Sequence, residues 1–341
     1  MMRCNNTISE TRVEWLDCAK GIGAFLVILG HTYYIPAELK SFIYSFHMPL
    51  FFILAGMTMK VTEEAPWSKI VAKYAKAYLI PYVILAGINL VLQSMWLLLI
   101  GELTWSRIYT YVAGTLYCYA NMNWMPNCSP IWFLLCIFLS KLLFLVIMRK
   151  VPSALRLPAI AGCAVISYAL YLADCPRLPW NSATALMGVA FLWIGWWLRN
   201  KGICDNPLPR RRAIAFGLVL LVLTPMLIAN GSNVGMNENS YGNLLLFFVG
   251  GAGYSFVVIA LSHKLDKVRF FTSFLGRNTM IVIGFNYFAR HAATEIYYLI
   301  PGIRNIPINA WSLFCGTFLI LACMIICWNG IVSRTAALKE N

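Results

Sequence analysis

Three ionisable residues, Asp17, Lys20 and His31, lie on one apolar stretch near the start of the chain, W-L-D-C-A-K-G-I-G-A-F-L-V-I-L-G-H-T. Such groups are costly inside a membrane-spanning helix, so they usually face a partner, a cavity or a substrate path. On a helix, Lys20 and His31 are separated by about three turns plus 20°, which places both on one face together with Asp17. They lie about 16 Å apart along the axis, about half of the hydrocarbon thickness. This arrangement suits a reaction path across a membrane.

The chemistry open to this face follows from the residue types. A histidine has an ordinary pKa near 6.5, so at neutral pH it can accept a proton from a hydroxyl. A buried cation such as Lys20 or Arg290 could hold an anionic group or a developing oxyanion. The structural alternatives are that an intramembrane histidine only hydrogen-bonds a neighbouring helix, and that Asp17 and Lys20 pair with each other.

The composition predicts a polytopic membrane protein. Of the 341 residues, 60% are hydrophobic and only 12% are charged, and the mean hydropathy is +0.70. This balance excludes a water-soluble domain of the same size. The net charge of +14 is distributed as in cytoplasmic loops, so we expect no nucleic-acid partner. The polar N-terminus has no signal-peptide pattern, and we expect the first span to insert uncleaved.

Ten apolar segments have the length that a bilayer requires. They are 15–36, 42–60, 77–100, 130–149, 157–174, 182–200, 212–230, 242–262, 277–299 and 309–332. Twenty of the 27 Lys and Arg residues lie at the termini and in or beside alternate loops, and only four lie in the opposite set of loops. The positive-inside rule therefore predicts that both termini are cytoplasmic. Lys141 and Arg149 in the fourth span are expected to snorkel towards the interface.

This topology gives each histidine a depth. His31 and His47 fall in the outer half of two antiparallel neighbouring spans, and the short connection between these spans predicts that the two side chains lie close together. His291 lies past the midpoint of the ninth span, and His263 belongs to a cytoplasmic loop. A zinc site is a weaker hypothesis, because no paired ligand spacing is evident. We expect no metal.

Two further groups of residues have alternative interpretations. The cluster Arg210, Arg211 and Arg212 could bind phosphates or could act only as a topology determinant. Cys118 and Cys128, in an outer loop, form either a disulfide or two ordinary thiols.

Several motifs resemble acyltransferase family 3, the polytopic membrane O-acyltransferases. In the family's first span a basic residue precedes the essential histidine by ten intervening residues, as Lys20 precedes His31, with Asp17 matching the acidic residue upstream. I-Y-S-F-H-M-P-L-F-F-I-L-A-G resembles the second-span motif of the fucose 4-O-acetylase-like branch and places His47 on it. S-P-I-W-F-L-L, with Trp132, resembles the element that opens the fourth span. The ninth span departs from the family pattern, since it ends in N-Y-F-A-R-H.

The resemblance implies an all-α integral membrane protein, a bundle of about ten transmembrane helices with both termini cytoplasmic. It implies one acyltransferase-3-like transmembrane domain over 1–341, with no soluble domain attached, in the inner (cytoplasmic) membrane of a bacterial cell. Membrane lipid surrounds such a domain, and the sequence does not specify an oligomeric state.

The resemblance also implies a function. An acetyl group from cytoplasmic acetyl-CoA, or another acyl group, moves to a hydroxyl of a cell-surface glycan or lipid-linked sugar. His31 is then the general base or an acyl relay, Lys20 orients the donor, and Asp17 positions Lys20. His47 either orients His31 or contacts the acceptor.

Two expectations complete this hypothesis. The arginines at 210–212 are candidate ligands for the donor phosphates, and Trp132, with Trp124, could stack on a sugar ring, although tryptophan at span edges is also typical of the interfacial belt. The alternative hypothesis is a proton-coupled transporter or flippase, since an intramembrane cation and three histidines suit that task as well.

Overall fold

The computed structural model describes residues 14–61, 65–121, 123–126, 129–202, 210–265, 269–302 and 305–340. This part of the chain is almost entirely helical. Its helices are α1 (Glu14–Gly30), α2 (Ala37–Tyr44), α3 (His47–Met57), α4 (Trp67–Tyr74), α5 (Ile80–Leu99), α6 (Trp105–Tyr117), α7 (Trp132–Lys150), α8 (Ser153–Leu172), α9 (Ser182–Asn200), α10 (Arg210–Gly231), α11 (Leu244–Ser262), α12 (Arg269–Arg277), α13 (Thr279–Leu299) and α14 (Ala310–Glu340). A π-helical turn, Ala75–Leu79, joins α4 to α5. Helices dominate because a bilayer offers backbone N–H and C=O groups no water, so each segment must satisfy them internally.

The centre of the bundle is built around α1, α3 and α9. Helix α3 packs against α9 and α11, and α1 packs against α3, α11, α12 and α13. Fully buried Leu50 and Phe52 of α3 and Phe191 of α9 form part of this core. Because α3 is covered on all sides, its sequence is apolar around its whole circumference.

One small sheet lies between α10 and α11. Strands β1 (Val234–Gly235) and β2 (Ser240–Tyr241) pair antiparallel, with Val234 opposite Tyr241. We call residues 231–243 the rim hairpin.

Eight helical segments in the described part of the chain are long and apolar enough to cross a membrane. They match eight of the predicted spans. The other two predicted positions are occupied by α1, which has only 17 residues, and α13, which carries Arg290, His291 and Glu295 within its length. The count of ten spans and the cytoplasmic location of both termini therefore stay predictions.

Several predicted boundaries were wrong. The first helix ends at Gly30 rather than near 36, and the second membrane segment begins at Ala37 rather than 42. The predicted loops 61–76, 101–129 and 263–276 contain the helices α4, α6 and α12.

The break between α2 and α3 has a local cause. Pro49 lacks a backbone N–H and is tolerated in the first turn of a helix but not in its interior. A helix containing Pro49 in its first turn must therefore begin just before it, and α3 begins at His47. This break places His47 at the start of a helix.

Candidate functional site

A cavity of about 670 Å³ opens among α1, α2, α3, α13 and the rim hairpin. Its inner wall is formed by histidines and aromatic residues, and its outer wall by amides and hydroxyls. The lining residues include Val27, His31, Lys40, Ser41, Tyr44, His47, Phe51, Asn121, Trp132, Phe133, residues 231–238, Ser240, Thr279, Ile283 and Tyr287. The volume lies within the range of small-molecule sites.

His31 lies immediately beyond the last turn of α1. Its backbone N–H still donates to the Val27 carbonyl oxygen at 3.2 Å, and its ring Nδ1 lies 2.8 Å from the same oxygen. A carbonyl oxygen can only accept, so Nδ1 carries the proton of the neutral ring. The other ring nitrogen, Nε2, then has a lone pair and is the nitrogen available to the cavity.

His47 repeats this arrangement on the facing element. Its Nδ1 lies 2.9 Å from the Ile43 carbonyl oxygen, and the residue is only 3% exposed. The centroids of the His31 and His47 rings are 6.3 Å apart, with the rings nearly perpendicular. The two histidines are thus adjacent, as the short connection predicted, but each is oriented by its own backbone rather than by the other.

Aromatic rings surround the two imidazoles. The Tyr44 ring lies 5.0 Å from that of His47 and 5.9 Å from that of His31, and Tyr287 of α13 meets His31 edge-on at 5.5 Å. Trp132 and Phe133 line the cavity from the start of α7. The inner cavity is therefore an aromatic chamber in which Nε2 of each histidine is the free basic atom.

The rim hairpin is held rigidly by buried hydrogen bonds. The Tyr241 hydroxyl donates to the Asn239 side-chain oxygen at 2.8 Å and lies 2.9 Å from Ser167 Oγ. Burial raises the pKa of Tyr241 above its usual range, so the hydroxyl remains a fixed donor. Thr184 Oγ1 donates to the Met236 carbonyl oxygen at 2.7 Å. The rim is therefore a preformed part of the wall.

An ion pair adds charge to this rim. Arg177 lies 3.0 Å from the exposed carboxylate of Glu238 and donates to the Ala120 carbonyl oxygen at 3.2 Å. Asn237 Nδ2 donates to the same carbonyl at 2.8 Å. These contacts join the rim hairpin to the loop before α7.

A second polar cluster lies at the other end of α1. Asp17, 5% exposed, lies 4.0 Å from Lys20 Nζ and 3.6 Å from Arg277 Nε. We call the end of the bundle that carries Asp17, Lys20 and Arg277 the basic end. The start of α1 meets the end of α11 here, where Trp15 stacks on His263 at 4.5 Å.

Two glycines allow α12 to lie directly on α1 at the basic end. A Cβ on Gly21 would collide with the Thr272 carbonyl, and a Cβ on Gly276 would collide with the Asp17 carbonyl. This close approach holds Arg277 beside Asp17. It also holds the start of α13, where Thr279 lines the cavity.

The family model for the acyltransferase 3 domain, described as an acyltransferase domain, matches residues 13–329. The chain belongs to the acyltransferase 3 family. No curated protein and no solved structure gives a significant match. Membership indicates a membrane acyltransferase, and the matched region includes every residue of the cavity described above.

The acyltransferase 3 chain brings three of the predicted site residues, His31, His47 and Trp132, to one cavity. Lys20 does not line it and pairs with Asp17 at the basic end instead. Arg211 and Arg212 are exposed at the start of α10, and the side chain of Arg210 is outside the described set. Trp124 is 40% exposed and packs on Tyr119 rather than on the cavity.

The other predicted features lie elsewhere. His291 is on the outer side of α13, 3.9 Å from Glu295 and edge-on to Trp96. Cys118 is a buried free cysteine, and burial raises its pKa to about 12, whereas Cys128 lies outside the described residues. Within the described ranges, no group of three or more His, Cys, Asp or Glu residues is placed to hold a metal ion.

The snorkelling prediction was wrong for Lys141. It is 6% exposed in the middle of α7, and its ammonium lies 5.5 and 5.3 Å from the ring centroids of Tyr74 and Tyr78. The aromatic faces of a neighbouring helix hold this cation inside the protein, and it does not reach the interface.

Sequence reasoning missed two residues beside His31, Tyr44 and Tyr287, and it missed the partner of Arg290. Arg290 was noticed as an intramembrane cation, but its partner lies 259 positions earlier in the chain. The only sequence signal was that an arginine is costly to bury inside a membrane span, and this cost does not indicate which residue the arginine contacts.

Proposed function

We propose that this acyltransferase moves an acetyl group from cytoplasmic acetyl-CoA to a hydroxyl of a cell-surface glycan or lipid-linked sugar. The observation that carries this proposal is the pair of histidines whose Nε2 atoms are available to one cavity, each with Nδ1 bonded to its own backbone. A fixed tautomer with a free Nε2 is what general base catalysis on a hydroxyl requires.

The proposed step is a direct transfer. The acceptor oxygen attacks the thioester carbonyl carbon while His31 Nε2 takes the hydroxyl proton. The carbon–sulfur bond then breaks, and the thiolate receives the proton from the imidazolium. In the alternative, His31 Nε2 attacks the thioester carbonyl carbon and the thiolate leaves. The acceptor oxygen then attacks the acyl-imidazole while His47 Nε2 takes the hydroxyl proton and passes it to the thiolate, and His31 Nε2 is released. Withdrawal of the reacting groups from bulk water would limit hydrolysis of the thioester in either case.

The two walls of the cavity suit the two reactants. Asn121, together with Asn237 and Ser240 of the rim hairpin, forms a wall that can hydrogen-bond sugar hydroxyls, and Trp132 offers a ring face for stacking. This wall supports a sugar acceptor of the kind that the fucose 4-O-acetylase-like branch modifies.

The donor approaches from the basic end in this proposal. Lys20 and Arg277 both approach Asp17, and Arg277 is two residues before Thr279, which lines the cavity. Lys20 orients the acyl donor, Asp17 holds Lys20, and Arg210, Arg211 and Arg212 offer charge to the phosphates of acetyl-CoA. The positive-inside rule supports a cytoplasmic location for this end, and we propose that the membrane is a bacterial inner membrane.

The test is acetyl transfer by purified protein in detergent, measured as loss of thioester from acetyl-CoA in the presence of an acceptor sugar. His31→Ala should lower kcat by about 1,000-fold, within the range for loss of a general base, while expression and acetyl-CoA binding are retained. His291→Ala is the matched control, because His291 is exposed on α13 and outside the cavity, and its turnover should stay within about twofold of wild type.

Two outcomes would contradict the proposal. Near-normal turnover of His31→Ala would remove His31 from the chemistry. A wild-type protein that moves an acceptor or a proton across the membrane but consumes no thioester would be a transporter or flippase, the alternative function for this pattern of residues.

A further inference from the structure

Three carbonyl oxygens at the end of α1, those of residues 27–29, accept hydrogen bonds from His31 or Thr32. The last carbonyls of a helix have no intrahelical partners and must be satisfied otherwise. Val27 O receives both the backbone N–H and the ring Nδ1–H of His31. Ile28 O receives the Thr32 hydroxyl at 2.9 Å, and Leu29 O receives the Thr32 N–H at 3.1 Å. The His31 carbonyl oxygen accepts a hydrogen bond from a residue of α13.

That partner is the guanidinium of Arg290. Its Nη1 donates to the His31 carbonyl oxygen at 2.6 Å, and its Nη2 donates to the Tyr33 hydroxyl at 2.8 Å. The guanidinium carbon also lies 3.9 Å from the Tyr33 ring centroid and 4.3 Å from that of Tyr287. Arg290 is 6% exposed and does not line the cavity. It therefore holds backbone and aromatic rings rather than substrate.

We propose that Arg290 is the positioning residue of His31, fixing the end of α1 so that Nε2 remains aimed into the cavity. This inference rests on the proposed function for its catalytic consequence. A cation at a helix C-terminus interacts favourably with the helix dipole, and here it is supplied by a different helix. The planar fork of arginine reaches the His31 carbonyl and the Tyr33 hydroxyl at once, which a lysine ammonium cannot do in the same geometry.

We call the two hydrogen bonds of Arg290, to the His31 carbonyl and to the Tyr33 hydroxyl, the clamp. Tyr287 connects this clamp to the His31 ring. One side of the tyrosine lies on the Arg290 guanidinium, and its ring also meets the His31 ring at 5.5 Å. Loss of the guanidinium would therefore release the backbone of His31 and, at the same time, a ring that packs on its imidazole.

The first measurement does not depend on catalysis. Protein labelled with ¹⁵N-histidine distinguishes the Nδ1–H tautomer from the Nε2–H tautomer by NMR. Wild-type His31 should show the Nδ1–H form, and Arg290→Gln should shift it to a mixture as the bond to Val27 O weakens. His47 is the internal control, because its ring is bonded to Ile43 O, and its signal should be unchanged.

The second measurement is kinetic. Arg290→Gln should lower kcat of acetyl transfer by about 100-fold, the cost of a misplaced catalytic group, with the KM for acetyl-CoA within about twofold. Arg290→Lys keeps the charge and loses the fork, so it should recover about tenfold of this loss. A purely structural defect would instead lower the amount of folded enzyme and leave the kcat of the remaining enzyme unchanged.

The outcomes separate this proposal from the proposed function. If the His31 signal shifts in Arg290→Gln but the wild-type protein transfers no acyl group, the clamp is supported and the proposed function is overturned. An unchanged His31 signal in Arg290→Gln would overturn the clamp, whatever happens to kcat. If the His47 signal also moves in Arg290→Gln, Arg290→Lys is the deciding variant, because it keeps the charge and loses only the fork. A wild-type His31 signal and a wild-type kcat in Arg290→Lys would overturn the clamp.

Discussion

The two ends of α1 carry charge in opposite ways. At the cavity end, the Arg290 cation is buried and bonded at 2.6 Å to backbone, and the His31 ring beside it is held by a second backbone bond. At the basic end, Asp17 faces Lys20 at 4.0 Å and Arg277 at 3.6 Å, and these two cations are 35% and 50% exposed. The cation at the cavity end is thus buried, whereas the two cations at the basic end are partly exposed to solvent.

This difference suggests a division of labour along one helix. Chemistry on a hydroxyl needs a base held within a fraction of an ångström, and the cavity end offers such precision. In the proposed function the partly exposed cations of the basic end would instead bind the hydrated phosphates of the donor. Mutations at the cavity end should therefore change kcat, whereas mutations at the basic end should change the KM of the donor.

The largest effect beyond His31 and Arg290 is expected at His47. His47→Ala removes the second Nε2 available to the cavity, which is the base that a relay through His31 requires, and for a relay it should lower kcat by about 100-fold. His47→Gln keeps a polar side chain but no base and should be as impaired. The measurement is single-turnover transfer from radiolabelled acetyl-CoA.

A second result of the same experiment would sharpen the role of His47. Accumulation of label on the protein in His47→Ala would show that the acyl group reaches His31 and waits there. Wild-type rates in His47→Ala would show that only His31 takes part in the reaction. The similar backbone bond of His47 would then have a structural role only.

A tenfold effect is expected at Lys20. Lys20→Ala should raise the KM for acetyl-CoA about tenfold and change kcat by less than about threefold, since it removes binding that is equal in ground state and transition state. Lys264→Ala is the matched control, because it removes an exposed lysine of the neighbouring α11 terminus and should have little effect. A drop in kcat with unchanged KM would place Lys20 in the chemistry and break the division of labour.

The smallest effect is expected at Trp132. Trp132→Ala should raise the KM for the acceptor about fivefold, which corresponds to about 1 kcal/mol of aromatic contact, whereas Trp132→Phe should stay within about twofold. Trp124→Ala serves as control, since this tryptophan is at the same end but outside the cavity. Equal effects of the two alanine variants would assign both residues to the membrane interface.

The sequence predicted the helices and the histidine pair because both depend on local information. Long apolar runs specify spans, and the short connection after His31 allows His47 only a position close to it. The start of α3 also follows from the position of Pro49. These features require no knowledge of distant contacts.

The remaining features depend on tertiary packing. Helix α12 has nine residues, too few to be stable alone, and it forms against α1 through the contacts of Gly21 and Gly276. The Arg290 clamp joins residues 259 positions apart, and the rim hairpin relies on Ser167 and Thr184 of other helices. Helix α1, with 17 residues, is too short to stand among the eight candidate spans, and α13 carries Arg290, His291 and Glu295 within its length.

The backbone bonds of the two histidine rings limit how much each ring can carry at one time. With Nδ1 committed to the carbonyl four residues earlier, each imidazole has one open nitrogen. That atom can hold a proton or an acyl group, but not both together. A relay through His31 would therefore require a second base, His47, to deprotonate the acceptor, whereas direct transfer needs only one ring.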